Sequence, residues 1–219
     1  RLILMDHPDY APLKELVGDD TIADPRVFCE VALLRDAYFA RKPKVKKLLD
    51  RVCAAIAEQL CIYDYRTYSE LPKVLRNPDK THPKQILFKA KKKEIALTTD
   101  ETTLYGCLQS LFNAKPDLVV CYARKLLVYE AKFTLDFDKE QLKRTHILAN
   151  VWDEVLFKDL GFEKPPRTSV LTLGLASYNP DLAWERVLEV ARKHLKPGDP
   201  SLQTFEGWLS QNASRIPRE

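Results

Sequence analysis

The stretch AKPDLVVCYARKLLVYEAKF, residues 114–133, sets two apolar runs around a short basic break and places Asp117, Glu130 and Lys132 among residues that otherwise read as core strands. This pattern predicts a β-hairpin. With an even number of residues in the turn, either Ala123 and Arg124 alone or Tyr122 to Lys125, residues whose numbers sum to 247 stand opposite one another. Asp117 then faces Glu130. Strand side chains alternate, so Glu130 and Lys132 share a face, and Asp117 lies across the ladder on that face with Cβ atoms roughly 5 Å apart. Leu118, Val120, Leu127, Tyr129 and Ala131 take the other face. An odd turn would break this register unless a bulge restored it.

Two carboxylates held so close repel each other unless one is protonated or a cation lies between them. A divalent ion that prefers hard oxygen, Mg²⁺ or Mn²⁺, resolves the conflict. An ammonium group beside it can hold or deprotonate a water and stabilise charge on a pentavalent phosphate. Pro116 fits the first position of a strand, where an N–H is dispensable. The chemistry such a trio supports is attack of activated water on a phosphodiester. Taken singly, Asp117 reads as a solvent-facing acid at a strand start, and Glu130 and Lys132 as the wet face of a hairpin; it is their joint phase that points to a site.

Outward from the hairpin, Asp100 is placed to cap a helix from Glu101 to about Asn113, with Leu104, Leu108, Leu111 and Phe112 inward. On the other side, DFDKEQLKRTHILANVWDEVLFKDLG reads as a long amphipathic helix stopped at Gly161. The apolar run TSVLTLGLA, residues 168–176, reads as a strand buried on both faces. Asn179 and Pro180 then open a helix carrying Val187, Leu188, Ala191 and Leu195, and a last short helix holds Phe205, Trp208 and Leu209. Upstream, KQILFKAKKKEIALTT reads as a second hairpin around a lysine-rich turn. Residues 64–83 carry Pro72, Pro78 and Pro83 and read as a long connection. Further back, Asp24 and Pro25 predict a helix with Val27, Val31, Leu34 and Tyr38 on one face. A second helix follows Pro43, with Val45, Leu48, Leu49, Val52, Ile56 and Leu60 inward and Lys44, Lys46, Lys47 and Arg51 outward. The order strand, strand, long helix, buried strand implies a mixed sheet with helices on both faces, of α/β or α+β class.

The chain of 219 residues suits one domain, or one core with a helical annex. Hydrophobic residues at 45% and charged residues at 30% exclude disorder and permit a sizeable core. No apolar run is long enough to span a bilayer. The opening RLILMDHPDY breaks its apolar run with an acid and a proline, so it does not read as a signal peptide, and its lack of a starting Met suggests a fragment. Five scattered cysteines without a Cys-x-x-Cys pair argue for a reduced, intracellular protein, cytoplasmic or nuclear, and against zinc. A net charge of +4 permits a polyanion partner without demanding one.

Pro116-Asp117 followed by Glu130-Ala131-Lys132 resembles the signature of the PD-(D/E)xK nuclease superfamily, the restriction-endonuclease-like fold. The resemblance implies a mixed β-sheet core flanked by helices, dependence on Mg²⁺ or Mn²⁺, and hydrolysis of nucleic acid, DNA ranking ahead of RNA. By position, Asp117 and Glu130 match the metal-binding acids, Lys132 the lysine that positions the attacking water, and the carbonyl of Ala131 a backbone ligand. The match covers about residues 84–196 as a nuclease core; residues 1–63 form a helical annex and 197–219 a C-terminal helix and tail, all within a single nuclease domain. Many members carry a further acid on an upstream helix, for which Glu58 and Glu101 are candidates; Glu101 lies in a first helical turn, where the dipole alone favours an acid. Some exonuclease-like members show a Gln and a Tyr on the helix after the lysine. Gln141 matches the first, whereas Thr145 stands where the Tyr would be. Cap-snatching relatives use an upstream histidine, and His82 is the residue available. Lysine clusters at 42–47 and 89–93 suit a phosphate backbone but equally a solvated helix face and a turn. His146 reads as a packed residue of the long helix, and Trp152, Trp184 and Trp208 as core. The alternative to an endonuclease is a nucleic-acid-binding or assembly module that keeps this fold without turnover.

Overall fold

The structure is a computed structural model that describes residues 9–40, 45–72, 75, 82–133, 137–159, 161, 163 and 166–213. Pro43, Lys44, Pro78 and the side chains of Val45 and Lys46 lie outside this description. In chain order the elements are α1 (Ala11–Val17), β1 (Arg26–Cys29), α2 (Leu33–Ala40), α3 (Val45–Gln59), α4 (Pro83–Lys91), α5 (Thr99–Asn113), β2 (Leu118–Tyr122), β3 (Lys125–Ala131), α6 (Lys139–Val151), a π-helical turn (Trp152–Leu156), α7 (Phe157–Asp159), β4 (Arg167–Gly174), a 3₁₀ turn (Ala176–Tyr178), β5 (Leu182–Ala183), α8 (Trp184–His194) and α9 (Pro200–Ala213). They form two compact units, one of residues 1–31, 116–142 and 169–219, the other of 32–115 and 143–168. No helix among the described residues is long and apolar enough to cross a membrane.

The first unit holds a five-stranded mixed sheet in the order β1-β2-β3-β4-β5. The hairpin β2–β3 has the expected register: Leu118 pairs with Tyr129, Val120 with Leu127 and Tyr122 with Lys125, leaving Ala123 and Arg124 as the turn. Ala123 takes a left-handed φ of 47°, a conformation that a tight turn imposes and that glycine meets at lower cost. Val120, Tyr122, Leu127 and Tyr129 face one core with Val27, Leu173, Leu13 of α1 and Val187 of α8. A smaller core joins Leu188 and Ala191 of α8 to Leu202 and Leu209 of α9.

The structure redraws three segments. Residues 26–29 are not the start of a helix but an edge strand, antiparallel to β2 with Val27 opposite Val120, so the N-terminal stretch is not purely helical. Asp24, at φ 45°, lacks the extended backbone of an N-cap, and the alternation of Arg26-Val27-Phe28-Cys29, with only Val27 buried, suits the open edge of β2. Likewise, the first part of the hairpin expected at 84–99 is the helix α4: Pro83 opens it, the His82 ring accepts a hydrogen bond from the Lys84 amide, and Ile86 is buried. Lys89 and Lys91 occupy its last turn, where the dipole favours cations. Finally, β5 precedes the helix expected at Asn179-Pro180. The Asp181 carboxylate accepts from the amide and hydroxyl of Thr172, whose Oγ1 in turn accepts from the Asp181 amide, and this holds the next residues parallel to β4.

In the second unit α3 and α5 behave as their periodicity predicts. Leu48, Leu49, Val52 and Ile56 are buried on the first, and Leu104, Leu108, Leu111 and Phe112 on the second. The cap of α5 is Thr98, not Asp100. His146 is exposed rather than packed, because the inward stripe of α6 runs through Thr145, Leu148 and Ala149 and on to Trp152 of the π-helical turn.

Candidate active site

The register of β2–β3 directs Glu130 to the face opposite Tyr129, and there it is 4% exposed. Its Oε2 accepts a hydrogen bond of 2.7 Å from the Gln141 side-chain amide. The Oε1 of the same Gln141 accepts 2.8 Å from the Lys132 ammonium. One amide therefore joins the acid and the lysine, donating to the first and accepting from the second, which also defines which way round it lies. Gln141 is placed by the start of α6: Asp138 caps the helix, its carboxylate accepting from the amides of Glu140 and Gln141 and its carbonyl from that of Leu142.

Asp117 sits one residue before β2 and is exposed. Continuing the register by one pair sets it opposite Glu130. Its Oδ2 accepts a 2.8 Å bond from the backbone amide of Ala131, the residue between Glu130 and Lys132. The backbone thus links Asp117 to the pair that Gln141 links through side chains. One pair further on, Pro116 comes to the level of Ala131; having no N–H, it offers no ladder donor to that carbonyl. The Lys132 amide donates to Leu173 of β4 at 2.8 Å, and its carbonyl accepts from Trp184 Nε1 at 2.9 Å, which holds the end of β3 from two sides.

On the Tyr129 face the same hairpin end borders a cavity of about 1050 Å³, lined among others by Asp117, Leu118, Ala131, Phe133, Trp184 and Phe205. Phe133 stacks on Trp184 with centroids 4.4 Å apart and meets Trp208 edge-on at 4.3 Å. This wall draws on positions far apart in sequence and has no local signature beyond the spacing of Phe205 and Trp208. Trp184 and Trp208, expected as core, are only partly buried.

Of the other candidates, Glu101, His82 and Thr145 have structural employment in the second unit, whereas Glu58 is exposed. Glu101 is buried at 1% exposure. It closes a capping box with Thr98 and binds Arg66 as a fork: Oε1 accepts from the Arg66 amide at 3.1 Å and from Nε at 2.6 Å, and Oε2 accepts from Nη2 at 2.7 Å. The Arg66 guanidinium, outweighing burial, brings its carboxyl down to about 2. Glu58 is exposed on α3. His82 caps α4 and packs its ring against Phe112 and Tyr38, and burial, then Lys84, lowers its basicity. Thr145 is buried.

No protein-family model matches the chain, and no curated protein or solved structure matches it.

Proposed function

We propose that this protein is a nuclease of the PD-(D/E)xK kind, with a restriction-endonuclease-like core, that hydrolyses phosphodiester bonds with Mg²⁺ or Mn²⁺, DNA ranking ahead of RNA. The observation that carries it is the bridge Glu130–Gln141–Lys132 at the end of a hairpin whose register also brings Asp117 to the Ala131 amide. The donor set is compatible with the metal: two carboxylates and a carbonyl are hard oxygens, few enough to leave the waters that Mg²⁺ retains. Asp117, Glu130 and the carbonyl of Ala131 would hold the ion, which when bound supplies Lewis-acid polarisation of the phosphodiester and its attacking water. Lys132 acts on that water through its ammonium, held by Gln141 Oε1 so that its three protons are not all free to rotate. Gln141 in turn sets the rotamer of Glu130.

Incubation with labelled single- and double-stranded DNA and RNA, with Mn²⁺ or with chelator, tests the assignment. Metal-dependent cleavage is expected, and Glu130→Ala, Asp117→Ala and Lys132→Ala should each abolish it while leaving the circular dichroism spectrum unchanged. Undiminished cleavage by Glu130→Ala would overturn the site. A second reading, a nucleic-acid-binding module without turnover, draws support from the near-complete burial of Glu130. Calorimetric Mn²⁺ titration separates the two, since only the nuclease requires metal binding that is lost with Asp117 and Glu130.

A further inference from the structure

We propose that the exposed face of α4, with the turn after it, docks single-stranded nucleic acid, Phe88 stacking on a base while Lys84, Lys91, Lys92 and Lys93 contact phosphates. Residues 83–93 carry five lysines and no acid. Lys89 pairs with Glu94 at 2.8 Å; among the described residues the other four form no ion pair. Positions 84, 88, 91 and 92 are exposed and recur at the spacing of one helical stripe, so the ring lies between cations. Phe88 is 49% exposed, and the Lys92 ammonium sits 4.5 Å from its centroid. Beside the stripe a recess of about 510 Å³ is lined by Lys91 and Lys93, among others, and offers a phosphate two cations.

The ring selects the partner. Lysines alone would serve any polyanion, but an aromatic face beside them stacks on a base that has been freed from its neighbours, which a duplex does not present. A lipid surface needs a broad apolar face, and on this stripe Phe88 is alone: Ile86 is buried and Leu87 half-buried. As a surface that holds substrate, this one rests on the nuclease assignment; as a binding surface, it does not.

The test is fluorescence anisotropy of labelled oligo-dT and of its duplex with oligo-dA, using the full chain in chelator so that turnover is excluded. Oligo-dT should bind more tightly than the duplex, and Phe88→Ala should weaken it by roughly 5- to 100-fold, with Phe88→Trp restoring it. Replacing Lys91, Lys92 and Lys93 together by Ala should flatten the slope of log affinity against log salt by about 2. Wild-type affinity and slope in these variants would overturn the proposal, as would equal binding of duplex with Phe88→Ala silent, or capture by anionic phosphatidylserine vesicles in place of oligo-dT. Binding that survives in a protein without cleavage keeps this surface and sinks the nuclease; cleavage with no role for these residues does the reverse.

Discussion

Replacing Glu101 by Gln should destabilise the protein at neutral pH, and the loss should fade in acid. The folded carboxyl titrates at about 2 against an ordinary value of 4.5, because Arg66 grips both its oxygens. The folded value lies below the unfolded one, so the stabilisation is complete above 4.5 and disappears as the pH falls towards 2. A shift of that size corresponds to about 3 kcal/mol at 1.36 kcal/mol per unit. The Arg66 side chain is 41% exposed, and solvent screening brings this to about 2 kcal/mol. For a chain of this length the melting temperature should fall by about 4–8 °C at pH 7. Urea unfolding followed by circular dichroism, at steps from neutral pH to about pH 3, reads the difference directly. A gap that is zero at pH 7, or that stays constant down the series, would refute the structural role of Glu101. Mn²⁺ affinity should be unchanged in the variant; a loss there would return Glu101 to the candidate ligands.

Two further outcomes are expected. Gln141→Ala removes the amide shared by Glu130 and Lys132 and should lower the rate of metal-dependent cleavage by about 10- to 100-fold, with oligo-dT affinity in chelator unchanged. Ala123→Gly relieves the left-handed φ at the hairpin turn and should stabilise by about 1 kcal/mol in urea titration; a destabilisation would mean that the turn tolerates the alanine without strain.

How much of this was legible along the chain depended on how local the deciding interaction is. The β2–β3 register follows from alternation and a two-residue turn, both contained within residues 118–129, and the inward stripes of α3 and α5 follow from helical period. Residues 26–29 and 182–183 are strands because an edge of β2 and of β4 accepts them, and the partners of the first lie far along the chain, as in Arg26 opposite Cys121 and Cys29 opposite Leu118. The run at 83–91 is helical although its apolar alternation reads as extended, since a proline start, a histidine cap and a buried Ile86 outweigh β-propensity. At the site, the shared phase of Glu130 and Lys132 is a property of one strand and was there to be read. Their union by Gln141 depends on where α6 begins beside β3, and the destination of the Asp117 carboxylate depends on an amide that only strand pairing brings within 2.8 Å. Period and turn chemistry act over a few bonds, whereas a hydrogen bond between distant segments exists only once the chain has closed the loop between them.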